Sequence, residues 1–519
     1  MNKIISREQA AALVQDGAVL ATTGFDGFGC PEDLIMALSE RFAKEGHPLG
    51  LTGVKGTSQG DGHGRGYDHL IACEGLFRRF IITHMGYDVA LQKAVMDNRF
   101  ICHMIPLGNY QGLLRAIAGG LPGSIARTGV GTFADPRYGG GKANQKTVDS
   151  GIDIVQLVEL GGEECLFYPS IPLDVCFIRA SMGDCRGNLS MKNEAMILDQ
   201  FDIASAVHNS GGIVIAQVDK IVPEGSIPAK EVYIHGSFVD YVVEGLPEYS
   251  WQSFEMPGFR PEIAGLTKAE VVKNEPLPMS VRKLCCRRAL QELKPGSLIN
   301  LGVGMPSMVG SVAEEENVTS DLTMTIECGV IGGSPLGNMD FGAAVNPEAI
   351  YSQSDMLMLY SGGALDAAVL GFAEVDAQGN VNAHSFNGHL VGPGGFCDIT
   401  SNAKKLCFIG NMTTGGLEAE ISEQGIRILK EGRFRKFKEH LDTVTFSGTE
   451  SIKRGQQVLF ITERAVFRLV KGGLMLTEIA PGIDLQKDIL GQMGFRPQLA
   501  DDIKTMDIRL FKDQSMKDL

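Results

Sequence analysis

The sequence predicts an α/β protein: two homologous open α/β domains in tandem, with mainly parallel sheets and helices on both faces. Three observations predict it. The 519 residues are more than one hydrophobic core ordinarily holds. Short apolar runs alternate with amphipathic helical patterns, which implies strand–helix units around parallel sheets. The chain also repeats itself. LDVCFIRASMGDCRGNLS (173–190) aligns without a gap on LDAAVLGFAEVDAQGNVN (365–382), each reading as a buried strand, an acidic turn and a Gly-Asn opening another strand.

The remaining elements follow in chain order. QDGAVLATTG (15–24) reads as a strand after an amphipathic helix, and ends in a glycine loop before Pro31, where a helix can start. KPGSLINLGVG (294–304), ahead of Pro306, is its counterpart. SGGIVIAQV (210–218) is echoed by AKKLCFIGN (403–411). The repeats divide the chain into an N-terminal unit, 1–245, with a long insertion in its middle, and a C-terminal unit, 280–519. The stretch 246–279, rich in Pro, Glu and polar residues, reads as a linker crossing the surface.

Composition narrows the function. Hydrophobic residues make up 44% and charged residues 21%, a soluble globular profile. No apolar run approaches the roughly 18–20 residues of a membrane helix, and the N-terminus lacks the apolar core of a secretory signal. Eleven cysteines without a CxxC pair fit a reducing compartment, so a cytoplasmic location is expected. His63, His69, His84 and His103 have no metal-ligand spacing, and no metal site is expected. A net charge of −15 argues against nucleic acid or a membrane surface as partner. An anionic ligand would need local help from glycine loops, helix N-termini or basic side chains.

The stretch TIECGVIGG (325–333) carries the candidate chemistry. Glu327 stands where a short strand ends, and in an open α/β sheet ligands bind beyond the carboxyl ends of the strands. Gly329, Gly332 and Gly333 could let backbone approach a ligand and offer N–H groups to a developing negative charge. A poorly hydrated carboxylate can act as a nucleophile; the bland alternative is an acid that caps the next turn. Setting LTGVKGT (51–57) against LTMTIECG (322–329) puts Gly56 opposite Glu327, so the fold itself does not demand a carboxylate there. GPGGFCD (392–398) is a tight turn or a second source of backbone donors. GTSQGDGHGRG (56–66) is too glycine-rich for a core and reads as a solvated loop or a lid. LGVGMPS (301–307), a broken dinucleotide fingerprint with Glu327 downstream, keeps open an NAD-dependent oxidoreductase.

NLGVGMP (300–306), ECGVIGG (327–333), FGAAVNPEAI (341–350), LGFAEVDAQGNVN (370–382), GPGGFCDIT (392–400) and the run from ITERAVFRL (461–469) to IDLQKDIL (483–490) occur in one order. So do GFDGFGCPEDLI (24–35), GTFADPRYGGGKAN (131–144) and LFYPSIPLDVCFIRA (166–180) in the first half. Together they resemble the family I coenzyme A transferases, specifically the single-chain acetate/propionate CoA-transferase type, whose relatives include the succinyl-CoA:3-oxoacid CoA-transferases. The resemblance implies a ping-pong transfer of CoA between short-chain carboxylic acids. It makes Glu327 the catalytic residue, carrying a glutamyl-CoA thioester, and Gly394 and Gly395 the glycine loop facing it. Asn300 falls at a position that contacts CoA in relatives. CoA is then a substrate, with no permanently bound cofactor; the partners are acyl-CoA and short-chain acids, and a homo-oligomer, dimer or tetramer, is expected. An acyl-CoA hydrolase of the same family is the alternative. The sequence departs from the family at Leu107, where a glutamine is usual. Leucine there either favours acids without oxygen substituents or packs against the following helix. Cys328, with no base partnered to it in the sequence, is taken as a packing residue. One site per chain, between the two units, is expected.

Overall fold

The computed structural model describes residues 2–270, 275–386 and 388–516. Two large sheets dominate it. Beside the short antiparallel strand Leu189–Ser190, the strands of the first are β1 (Val19–Thr22), β2 (Leu51–Lys55), β3 (Phe77–Ile82), β4 (Ile101–Met104), β5 (Val175–Asp184), β6 (Ile213–Val222) and β7 (Tyr241–Glu244). They lie in the order β7-β6-β5-β1-β2-β3-β4, all parallel along this path. β2 is buried at every position, as a strand covered on both faces must be.

The second sheet holds β8 (Ser297–Leu301), β9 (Leu322–Thr325), β10 (Val330–Ile331), β11 (Ala349–Ile350), β12 (Ala367–Gly371), β13 (Lys405–Ile409), β14 (Gln457–Ile461), β15 (Ala465–Val470), β16 (Gly473–Ile479) and β17 (Gln498–Thr505). Its order is β11-β10-β9-β8-β12-β13-β14-β15-β16-β17. Its centre, β9-β8-β12-β13-β14, is parallel and repeats the order β2-β1-β5-β6-β7 of the first sheet. The registers repeat as well. Val19 pairs with Thr52, and its counterpart Leu298 pairs with Thr323. Counting on from either pair sets Gly56 and Glu327 at the same point beyond the strand. The long insertion of the first unit contributes β3 and β4, and a three-stranded antiparallel sheet spanning residues 123–126, 156–160 and 163–169.

Four helices matter for the site: α1 (Glu32–Glu45), α2 (Leu107–Ala118), α3 (Gln353–Ser361) and α4 (Phe396–Asn402). Glu32 and Asp33 occupy the first turn of α1, where a helix N-terminus favours negative charge. α2 and α3 come from opposite halves and pack together. Between them Gln111 Nε2 donates to Gln353 Oε1 at 2.7 Å, and Arg115 pairs with Asp355 at 3.0 Å.

The segment between the sheets does more than cross the surface. Gln252, Ser253 and Ile263 are buried. Arg260 makes a two-pronged pair with Asp340, at 2.7 and 2.9 Å, and the Ser253 hydroxyl meets the same carboxylate. Residues 271–274, inside the expected linker, lie outside the described residues. The glycine-rich stretch 56–66 also departs from expectation, because residues 56–60 are buried. Lys55 and Asp88 form a buried ion pair; Lys55 Nζ donates to Thr57 O at 2.9 Å, and the Gln59 N–H donates to Asp88 Oδ1 at 2.9 Å. Matched charges and satisfied backbone donors let a glycine-rich segment sit in the interior.

Candidate active site

β9 runs beside β8 and delivers Glu327 beyond its carboxyl end, into a turn closed by Gly329 N–H donating to Ile326 O at 3.0 Å. Ile326 and Cys328, on either side of it, are buried in an apolar cluster with Phe25 and Phe28 of the other half. Glu327 is left facing a cavity of about 530 Å³ lined by both halves of the chain. The first half supplies Phe25, Asp26, Thr57 and His84; the second supplies Glu327, Phe341, Phe372 and the loop 392–395. Burial raises the Glu327 carboxyl above the usual carboxylate range, opposed by its own backbone N–H and the Asn300 amide.

Of the residues named from sequence, Glu327, Gly394 and Gly395 meet in this cavity. Asn300 lies behind them and is fully buried. Its Nδ2 donates to Thr325 O at 3.2 Å, and its Oδ1 has no partner. Gly395 presses on the glutamate: a β-carbon there would lie 3.1 Å from Glu327 Cγ. The loop is docked on the first half. Gly394 N–H donates to Thr83 O at 3.2 Å, so this donor is occupied, and the Gly394 carbonyl accepts from Leu107 N–H at 3.1 Å. Gly392 has φ +90°, and a β-carbon there would sit 2.3 Å from Thr83 O.

The glycines after Glu327 serve another purpose than the one expected. None of Gly329, Gly332 and Gly333 lines the cavity. Gly329 (φ +111°) lies against the strand that closes the sheet edge: a β-carbon would be 2.0 Å from Tyr351 O, and the Tyr351 N–H donates to Gly329 O at 2.9 Å. Leu107 does not line the cavity either. It is fully buried in the core of the first half, the packing alternative for this position. Cys328 Sγ lies 2.9 Å from Gly342 O, and burial pushes its thiol well up, which keeps it an inert packing group.

Sequence reasoning missed Asp26, His84 and a basic mouth made of Arg435, Lys436 and Lys438. The Gly86 N–H donates to His84 Nδ1 at 3.4 Å, so the ring proton sits on Nε2; burial lowers the ring to about 4, which keeps it neutral. Burial likewise lowers the Lys436 ammonium to about 8, and it stands over the Phe372 ring, 4.0 Å from its centroid. The sequence signals were a basic run, RFRKFK (433–438), and for Asp26 a place inside the glycine-rich stretch GFDGFG (24–29); His84 carried none. Among the described residues no helix is long and apolar enough to cross a membrane, and no group of three or more His, Cys, Asp or Glu is placed to hold a metal ion.

Known proteins match along the whole chain. Residues 4–245 match the family model described as coenzyme A transferase. The caffeate CoA-transferase of Acetobacterium woodii is 40% identical over 519 residues, covering 99% of this chain and 98% of its own. The acetate CoA-transferase YdiF of Escherichia coli (strain K12) is 41% identical over 515 residues, covering 99% and 96%. The crystal structure of the YdiF apoenzyme from Escherichia coli O157:H7 superposes with a TM-score of 0.92 at 40% identity, covering 99% of this chain and 97% of that one. The thioester complex of that enzyme with CoA gives the same TM-score at 39% identity, with the same coverage. Strand-end glutamate, facing glycine loop, repeated sheet order and full-length identity converge: the chain belongs to the coenzyme A transferase family.

Proposed function

We propose that the protein moves CoA between short-chain carboxylic acids, with Glu327 as the covalent carrier. The supporting observation is a carboxyl group at the floor of a cavity with Gly395 packed directly on it. The Glu327 carboxylate attacks the acyl-CoA thioester carbonyl, the C–S bond breaks, and a mixed anhydride and CoA thiolate form. The thiolate attacks the glutamyl carbonyl and releases the first acid as its carboxylate. A second carboxylate then reverses both steps and leaves as its CoA ester. Thioester energy is retained in the protein throughout.

Each attack passes through an oxyanion, which needs preorganised donors. With Gly394 N–H committed to Thr83, the Gly395 N–H is the backbone donor beside Glu327. Asn300, buried beside Glu327, supports the carboxylate through its amide, and a CoA contact at that position remains part of this reading. Arg435, Lys436 and Lys438 at the mouth are suited to the CoA phosphates, the local help that a chain of net charge −15 requires. The test is incubation with an acyl-CoA alone and mass analysis. Wild type should carry one CoA per chain on the peptide containing Glu327. Glu327→Ala should carry none and lose several powers of ten in transfer rate, each worth about 1.4 kcal/mol. An alanine variant with wild-type transfer would overturn the assignment.

A further inference from the structure

Two carboxyl groups besides Glu327 line the cavity: Glu374, which is partnered by Lys438 and Asn382, and Asp26, which has no role so far. Asp26 lies in the turn Phe25–Phe28, whose end residues exchange two backbone hydrogen bonds of 2.9 Å. Its φ is +50°, a region costly for a residue with a side chain. It is 5% exposed, and Oδ1 has no partner. Phe25 and Phe28 on its two sides share one apolar cluster with Ile326 and Cys328, which flank Glu327. The four apolar neighbours are packed together, and the Asp26 and Glu327 carboxyl groups are both left to the cavity. Gly27 continues the turn against the opposite half: a β-carbon there would lie 2.7 Å from Met339 O, in the segment held by the Arg260–Asp340 pair. A strained backbone, an unpartnered buried oxygen and a turn wedged in place hold Asp26 in the wall of the cavity that Glu327 also lines.

We propose that Asp26 is a substrate-binding carboxylic acid whose O–H donates to the carboxylate oxygen of the incoming acid that does not attack. The idea rests on the Glu327 carrier reading. The attacking oxygen forms a bond to the glutamyl carbonyl carbon, the C–S bond to CoA breaks, and Asp26 keeps its proton throughout. Its surroundings suit that state. The groups facing it are Asp88, Glu327, Lys55, Ser58 and Tyr87, with neutral His84 on the same cavity wall and the Arg260–Asp340 pair across the turn. The Lys55 charge is matched by Asp88. Burial, reinforced by Asp88 and Glu327, pushes the Asp26 carboxyl up to about 8. An ionised aspartate would repel an incoming carboxylate, whereas the neutral acid attracts it.

The test uses the full chain, loaded with CoA on Glu327 by an acyl-CoA and then challenged with acetate in single turnovers from about pH 6.5 to 9.5. Wild type, Asp26→Asn and Asp26→Ala are compared, with melting temperatures measured alongside. The acetate concentration for half-saturation should rise about tenfold in Asp26→Ala at neutral pH and stay within about threefold in Asp26→Asn, which keeps a neutral donor. Wild type should lose acetate affinity as pH rises through about 8, and Asp26→Asn should not. Equal half-saturation in all three proteins would overturn the proposal. So would an asparagine variant as weak as the alanine variant, or an alkaline loss that persists in it, which would assign that titration to Lys436. If neither variant folds, the wild-type acetate titration still decides: affinity that does not fall through pH 8 sinks the idea. Failure of the wild type to form the CoA adduct would instead overturn the Glu327 reading.

Discussion

Gly395 and Glu327 touch so closely that even a methyl group between them would push the glutamate aside: a β-carbon on Gly395 would stand 3.1 Å from Glu327 Cγ and 3.2 Å from its Cβ. The backbone of Gly395, at φ −79° and ψ 0°, suits any residue, so the constraint is space and not conformation. Gly395→Ala should therefore fold with a melting temperature near wild type yet push the carboxylate off line. The shift needed is a fraction of the roughly 1 Å that costs on the order of 100-fold, so a loss of about tenfold is expected. The rate of CoA adduct formation, followed by mass spectrometry, is the readout; a wild-type rate would show that the contact is incidental.

Glu327 must be ionised to attack, and its carboxyl lies above the usual carboxylate range because it is buried. Activity should accordingly fall as pH drops through that raised value, sooner than for an exposed glutamate. The pH dependence of adduct formation measures it. An acid limb at or below the ordinary glutamate value of about 4.3 would contradict the burial argument.

Leu107 and Gly108 open α2 with their backbone N–H groups on Gly394 O and on Asp398 Oδ2, at 3.1 and 2.8 Å. Leu107→Gln should leave the ranking of butyrate against acetoacetate unchanged while costing about 1–3 kcal/mol for a buried amide without partners. Gly108→Ala places a β-carbon 2.3 Å from Asp398 Oδ1 and should destabilise by about 1–3 kcal/mol through overpacking. Denaturant melts and a competition assay check both; a reversed acid ranking in the glutamine variant would return Leu107 to the substrate.

Asp398 is buried, and burial raises its carboxyl to about 7. A carboxyl that binds its proton more tightly when folded stabilises the fold at acid pH. That contribution is lost as pH rises from about 4, where the unfolded group ionises, through about 7. The stability difference between wild type and Asp398→Asn should shift in this direction across that window and stay level above it. A difference flat from pH 4 to 8 would mean the group titrates normally.

Much of the architecture was legible because both halves keep the same strand order. The alignment of Gly56 with Glu327 rested on a short match, yet the pairings Val19–Thr52 and Leu298–Thr323 place both at one position. The structure also shows why the first half lacks the acid. A β-carbon on Gly56 would already lie 3.3 Å from Asp199 Oδ2 and 3.4 Å from Tyr110 Cε1, leaving no room for a glutamate. What sequence could not convey was which partner each glycine serves. Gly329 and Gly395 look alike as letters; one admits the Tyr351 carbonyl and the other the Glu327 side chain. Asp26 was hidden for the same reason, since the turn that carries it packs on residues hundreds of positions away: Phe25 stacks on Phe341, and Gly27 lies against Met339.

The two halves that wall the cavity are carried on one polypeptide, with the segment between them pinned at Asp340. Their meeting is thus intramolecular, at an effective concentration of order millimolar for a short tether. Dilution cannot separate the glutamate from the turn and loops that receive its substrate. The same halves made as separate chains would lose activity below their association constant, and a cut between residues 258 and 259, beside the pinned arginine, would turn a concentration-independent enzyme into a concentration-dependent one.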